Sequence, residues 1–295
     1  MRKFVFLILL FVAVNAVAQT GLLYRFKSVT IPVSQSQIDS TVLILKTRLE
    51  KAGYKNSAVE YDKNKKEFLL QTDSSINKDF ITSWLLKPCI VTFYETYPAY
   101  DIATVLMSGS DYRKQGQAKK EFFILLNIPA SINNNNRYSN VGIIKISDTT
   151  EFAKTKKSLK DFLPADCLFA YSNKLIYLNP PAIEVFALKN NESKLQVNDI
   201  LDSAKNVADY RGKPSVWIRF NKVGTKKFEK MTLKNVTKSI AIVIDGIVYS
   251  APFVNNAIEG GGVEISGNFT VTEAKQLADM ISAGYLPIKL SLIDN

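Results

Sequence analysis

The chain has 295 residues, 46% of them apolar and 22% charged, a composition that can build a globular core without disulfide or metal staples. It contains no histidine, which excludes serine and cysteine hydrolases that use a histidine base and metal sites that depend on imidazole. Its formal charge of +11, spread along the chain and mostly lysine, reads first as a solvated basic surface and second as a face for anionic lipid headgroups or acidic chains.

Residues 1–18 read as a signal peptide. Arg2 and Lys3 form a positive start, 4–14 is an unbroken apolar run, and Ala16-Val17-Ala18 is an A-x-A cleavage signal that would leave Gln19 as the mature start. An uncleaved anchor is the alternative, but the run is shorter than the roughly 20 apolar residues of a membrane helix. No cysteine follows it to carry a lipid, and later apolar stretches such as Ile240–Ile244 have strand length. The expected location is the periplasm or the extracellular face of the cell envelope, which disfavours nucleic acid as a partner. Cys89 and Cys167 read as two buried free thiols at strand starts, although such a compartment permits a disulfide.

The fold class expected is α+β. Residues 19–97 read as a ferredoxin-like base subdomain, β-α-β-β-α-β. Strand 22–31 is ended by Pro32. Ser34, with Gln37 at the capping-box position, opens a helix that carries Ile38, Val42, Leu45 and Leu49 on one face and stops at Gly53. Short strands 58–61 and 67–72 flank the polar turn 62–66, a helix spans 76–86, and 89–94 is the closing strand. Residues 98–295 form a second, α/β subdomain. Within it, 98–120 connects, 121–128 is a strand or a short buried helix, and 131–140 (SINNNNRYSN) is a polar loop. Strand 141–146 precedes a helix capped by Asp148 or Thr149 that ends near Phe162. Strands follow at 184–189 and Pro214–Phe220.

The last eighty residues have the clearest local logic. Asn221 caps a helix that runs to about Lys234, with Val223, Phe228, Met231 and Leu233 as its apolar side. Ile240–Ile244 and Ile247–Ser250 flank Asp245-Gly246, a strong hairpin signal. A turn at 260–262 leads into strand 263–265. Thr270 and Glu273 make a capping box, Leu277, Met280 and Ile281 follow at helical spacing, and Gly284 ends the helix.

Little here points to catalysis. Among the clustered carboxylates, Asp245 makes a turn, Glu273 closes a cap, and Glu259 and Glu264 flank a glycine loop. Gly260-Gly261-Gly262 lacks the Lys-Ser or Lys-Thr that a phosphate loop requires. The chain is read as a non-enzyme with no cofactor and no metal. Phe93, Tyr94, Tyr97, Tyr100 and Tyr112 gather near the join of the two subdomains. They read as packing, or as candidate residues of an adaptable cleft that grips extended polypeptide.

The pattern resembles the large periplasmic domain of SecD, the accessory subunit of the bacterial protein-export translocase. The resemblance is densest over 216–287. It rests on Ala241-Ile242-Val243-Ile244-Asp245-Gly246, on Tyr249-Ser250-Ala251-Pro252, and on Ile265-Ser266-Gly267-Asn268-Phe269-Thr270 followed by Glu273-Ala274. The helix 42–53 is similar to the family's V-L-x-x-R-L-x-x-x-G. The resemblance implies a base-and-head unit of SecD type in which Asp245, Gly246, Ser250, Ala251, Pro252, Gly267, Asn268 and Phe269 are structural motif positions. It implies a head that tilts on its base and holds emerging preprotein. Two departures limit it: Leu22-Leu23-Tyr24-Arg25-Phe26 stands where the family has D-L-x-G-G, and no membrane part follows. The implied function is an exported module that binds unfolded or emerging polypeptides, without proton-driven activity of its own. Its implied partners are those polypeptides and the Sec translocase or another envelope complex, and contact with the membrane surface is the separate expectation from the basic charge. The alternative is an envelope protein with one folded partner.

Overall fold

The structure is a computed structural model that describes residues 22–29, 32–73, 75–107, 112–126, 140–176, 178–198 and 200–293. Side chains at 107, 112–115, 117 and 174 are outside the description, as are the expected signal peptide and the expected loop at 131–139.

The first sheet is antiparallel and contains β1 (Leu22–Ser28), β2 (Ala58–Asp62), β3 (Glu67–Thr72) and β14 (Leu290–Ile293), in the order β14-β1-β3-β2. Helix α1 (Gln35–Lys51) packs on it through Ile38, Leu45 and Leu49. Its capping box is formed: the Gln37 amide donates to Ser34 Oγ at 3.3 Å and the Ser34 amide donates to Gln37 Oε1 at 3.0 Å. Gly53 ends the helix at φ +93°, a backbone region that favours glycine. The helix expected over 76–86 is divided into α2 (Lys78–Phe80) and a π-helical turn, Ile81–Leu85, which buries Ile81, Trp84 and Leu85.

The closing strand of the base is not the one expected. The sequence puts 89–94 there, but β4 (Val91–Glu95) lies in a different, seven-stranded sheet, and β14 takes the place beside β1. Residues 19–97 therefore do not form a continuous β-α-β-β-α-β unit. The physical reason is visible in β4 itself, where four of five side chains are buried. A strand buried on both faces belongs inside a large sheet, whereas β14 keeps three of its four side chains half-exposed. Cys89 is not at a strand start; its φ of +63° turns the chain toward the second sheet.

That second sheet has the order β5-β7-β6-β12-β11-β4-β8. Its members are β5 (Asn140–Lys145), β6 (Cys167–Ile176), β7 (Ala182–Lys189), β8 (Leu195–Gln196), β11 (Ile240–Ile244) and β12 (Ile247–Ser250), besides β4. The pairs are antiparallel except β6 with β12, which meet at Ser172 and Val248. The expected turn between β11 and β12 is present, with φ +52° at Asp245 and +83° at Gly246, the two positive values a type I′ turn requires. A third sheet, β13-β10-β9, joins β9 (Leu201–Ala208), β10 (Pro214–Phe220) and β13 (Gly262–Ile265). Helix α7 (Val271–Ala283) lies over β9 and β10 and also touches α1. The largest apolar cluster runs from the first sheet through Trp84, β4 and the third sheet to α7.

The connector expected at 98–120 is helical. Helices α3 (Ala99–Met107), α4 (Tyr112–Leu125) and α5 (Thr149–Ser158) cover β5, β6 and β7 around a separate core of Ile102, Phe122, Phe152, Phe169 and Val185. The first two turns of α4 carry little apolar signal, because Ala118 stands among Lys114, Gln115, Gln117, Lys119 and Lys120. One of those lysines, Lys119, is itself buried with Nζ 4.7 Å from the centre of the Phe162 ring.

Glu95 closes β4 at 3% exposure, with Lys234 Nζ at 2.9 Å and Lys189 Nζ at 3.6 Å. Burial pushes its pKa up, but Lys234, Asn235 and Lys189 overcome this and hold it below the usual carboxylate range. A lowered folded-state pKa stabilises fully above the unfolded value of about 4.3, and the contribution is lost as the pH falls through the lowered value. Glu95→Gln is therefore expected to flatten the acid limb of a plot of urea midpoint against pH. An acid limb identical to the parent's would remove Glu95 from the acid response.

Candidate functional site

The five aromatic residues singled out in the sequence do not line one cleft. Alternate side chains of a strand point to opposite faces, so Phe93 and Tyr94 part company. Phe93 is fully buried, 5.9 Å from Phe220 and 5.2 Å from Phe228, ring centre to ring centre. Tyr94 lies on the other face, half-buried in a cavity of about 190 Å³ with Leu168, Leu188 and Val243. Tyr97 donates to Asp166 Oδ1 at 2.5 Å, and Lys189 Nζ sits 5.1 Å above its ring. Burial and then the Asp166 carboxylate push its phenol above the usual tyrosine range. Tyr100 is 48% exposed on α3, and Tyr112 opens α4 with its side chain outside the described residues.

Two of the motif positions near the C-terminus, Asn268 and Phe269, line a cavity together with Tyr249. A groove of about 580 Å³ opens between α2 with the π-helical turn, α7, β6, β12 and the segment that follows β13. One wall carries Phe80 stacked on Trp84, ring centres 4.7 Å apart. The facing wall carries Tyr249 stacked on Phe269 at 6.1 Å, and Leu277 and Met280 of α7 complete the apolar lining. Carboxamides of Asn77, Asn173, Asn268 and Gln276 stand around this aromatic lining. Trp84 Nε1 donates to the Gln276 carbonyl at 3.3 Å, which fixes the indole. Burial pushes the Tyr249 phenol up to about 12, so it remains a neutral hydrogen-bonding group. Tyr249 and Asn268 also line an adjoining cavity of about 470 Å³, together with Arg211, Lys213 and Glu264.

The other motif positions build the frame. Gly267 is tight against Phe269, since a Cβ there would sit 3.0 Å from the ring. Ser250 pairs with Ile242, Ala251 packs on the Val243–Val248 patch, and the Pro252 carbonyl accepts from the Ile240 amide at 3.1 Å. Asp245 reaches across to the joint between the first and second sheets. Its carboxylate accepts from the amides of Cys89 at 3.1 Å and Ile90 at 2.8 Å. Asn198 holds the same joint from another side, accepting from the Val91 amide at 3.1 Å and donating to the Cys89 carbonyl at 3.0 Å. Arg48 takes the carbonyls of Leu85 at 2.9 Å, Lys87 at 2.5 Å and Gly284 at 2.9 Å.

Sequence reasoning missed Phe80, Trp84 and Met280 as groove residues and Arg48 and Asn198 as joint residues. Arg48 had a signal: it stands beside Leu49 and three residues after Leu45, on the buried face of α1. Cys89 and Cys167 are free thiols, and burial pushes both up to about 12, away from reactivity. Among the described residues no three His, Cys, Asp or Glu side chains could hold a metal ion together, and no helix is long and apolar enough to cross a membrane. Asp79 and Glu273 are the carboxylates in the groove, and Glu273 is engaged in its cap with the Thr270 amide at 2.7 Å.

Residues 176–288 match the family model of the SecDF P1 head subdomain. The protein translocase subunit SecD of Calditerrivibrio nitroreducens is 33% identical over 147 residues, which are 49% of this chain and 28% of that protein. SecD of Acidaminococcus fermentans is 39% identical over 118 residues, 40% of this chain and 28% of that protein. SecDF of Thermus thermophilus is 42% identical over 94 residues, 32% of this chain and 13% of that protein. The chain thus spans about a quarter or less of the length of these relatives. A solved structure of SecDF, a membrane component that enhances protein export, superposes with a TM-score of 0.56 at 19% identity, covering 93% of this chain and 99% of that one. That likeness shows the mixed α+β fold with several sheets. By the family match and the curated relatives together, the chain is SecD-like, with its similarity to the SecDF P1 head subdomain confined to residues 176–288.

Proposed function

We propose that the chain is an exported SecD-type module that supports protein translocation by holding extended, unfolded polypeptide in the groove between Phe80, Trp84, Tyr249 and Phe269. In this reading it works beside the Sec translocase and has no proton-driven or enzymatic activity of its own. The base comprises both ends of the described chain, β1 to the π-helical turn together with β14, and the head is the part between. The groove carries the reading. Aromatic faces accept apolar side chains of any sequence, while carboxamides offer a donor and an acceptor each to peptide groups. Such a lining suits a client recognised by being unfolded rather than by its sequence.

The test is fluorescence anisotropy with one secretory protein, as a permanently unfolded variant and in folded form. Binding to the unfolded form alone is expected. Phe269→Asp places a charge among the aromatics and is expected to weaken it by about tenfold or more, the effect of losing an anchor residue at an interface. Tyr94→Ala and Tyr100→Ala, remote from the groove, are expected to leave it unchanged. A parent chain that binds neither form would end the holding role. Loss at Tyr94 with none at Phe269 would move the site to the other face of β4.

A further inference from the structure

Helix α6 (Lys222–Lys234) carries a surface that the groove does not use. Its inward side is Gly224, Phe228, Met231 and Thr232. Gly224 seats the helix close to its neighbour, because a Cβ there would meet the Ile200 carbonyl at 2.7 Å. The sequence assigned Val223 and Leu233 to this apolar side, and the structure places both outward, 57% and 63% exposed. They stand among Lys222, Lys226, Lys227, Lys230 and Lys234, all exposed. At about 3.6 residues per turn these seven positions fall within one arc of about 140°. Lys234 reaches Glu95 while 64% of its side chain is exposed, and the other four lysines have no ion pair among the described residues. The one acidic residue of the helix, Glu229, is half-buried at the margin of the arc.

We propose that this face of α6 docks on the anionic surface of a lipid bilayer, with the lysines among headgroup phosphates and Val223 and Leu233 at the acyl boundary. A helix that lies in the bilayer plane combines a lysine-rich polar face with aliphatic side chains. Here the aliphatic residues occupy the first and last turns, so a flat surface meets the whole length of 13 residues, about 20 Å. The positive charge is complementary to such a surface, and the exposed aliphatic groups have a use there that a solvated helix would not give them.

The test uses residues 22–293, which carry all three sheets and the whole described core, so that the apolar run at the N-terminus does not contribute. The chain is sedimented with vesicles of phosphatidylcholine alone and of phosphatidylcholine mixed equally with phosphatidylglycerol. Binding is expected only to the mixed vesicles and is expected to fall steeply with salt. The exposed double variant Lys226→Gln/Lys230→Gln is expected to weaken it about 25-fold, from about 1 kcal/mol, a factor of about five, for each lysine at such a surface. The control Lys157→Gln/Lys160→Gln removes the same charge beside α5 and is expected to leave binding unchanged. No binding to the mixed vesicles overturns the proposal and turns the search to an acidic protein. Equal losses in the two double variants overturn it in favour of net charge.

Discussion

Arg48→Ala is expected to lower the free energy of unfolding by about 3–5 kcal/mol, because it leaves several buried carbonyls without a donor at about 1–3 kcal/mol each and opens a cavity besides. Arg48 is fully buried, yet no carboxylate forms an ion pair with it among the described residues. Its charge faces carbonyls instead: Leu85 and Lys87 at the end of the π-helical turn, and Gly284 at the end of α7. Carbonyl-rich ends of helical segments carry partial negative charge, so they compensate a cation that burial would otherwise expel. Burial lowers the guanidinium pKa from its ordinary value, but arginine stays protonated in proteins. Because the bonds diverge to segments far apart in sequence, the planar fork matters as well as the charge. Arg48→Lys keeps the charge and loses the fork, and is expected to cost about 2 kcal/mol. Arg48→Met keeps most of the volume and loses every bond. Urea denaturation of the three variants checks the order. Arg48→Met within about 1 kcal/mol of the parent would show that the carbonyls find water at little cost.

The same residue shows what the sequence could and could not reveal. The clearest features governed by neighbours along the chain were legible: the Ser34–Gln37 and Thr270–Glu273 capping boxes, the Asp245-Gly246 turn, and the stops at Gly53 and Gly284. Each depends on backbone groups within about four residues, where residue type decides the geometry. Choices settled by distant partners were not legible. An apolar strand can sit beside any apolar neighbour, so nothing in Val91–Glu95 says that it pairs with Ile240–Ile244 rather than β1, and nothing in the short run Leu290–Ile293 announces a base strand. Helix α6 gave a different lesson. Apolar residue type suggested that Val223 and Leu233 face inward, but the tight seat of Gly224 on Ile200 fixes the helix rotation and turns them out. The groove was half legible: one wall is the motif 265–270 with Tyr249, while the other depends on how α2 and the π-helical turn set Phe80 and Trp84 opposite it.

Those two walls meet through the joint at 87–91, and Asp245→Ala is the variant expected to loosen it most. The Cys89 backbone is held at φ +63°, a region non-glycine residues seldom adopt. Its amide and that of Ile90 both donate to the Asp245 carboxylate, and the Asp245 amide donates back to the Ile90 carbonyl at 3.0 Å. Removing the carboxylate strands a buried amide next to a strained turn, and bonds to a charged acceptor contribute about 1.5–3 kcal/mol each. The expected loss is about 2–4 kcal/mol for Asp245→Ala, and less for Asp245→Asn, whose remaining oxygen can serve one of the two amides. Native-state hydrogen exchange reads the effect where it occurs. The Cys89 and Ile90 amides are expected to exchange at least tenfold faster in Asp245→Ala, about 1.4 kcal/mol of lost local protection. Amides in the first sheet, such as those of β3, change only as far as global stability falls. Unchanged exchange at Cys89 and Ile90 would mean that Asn198 and the Arg48 bonds hold the joint alone. Because Phe80 and Trp84 precede the joint and Tyr249 and Phe269 follow it, the same variant is expected to weaken polypeptide binding without touching the groove. If binding falls in Asp245→Ala while groove residues keep their protection, the relative placement of the two walls, and not their lining alone, sets the affinity.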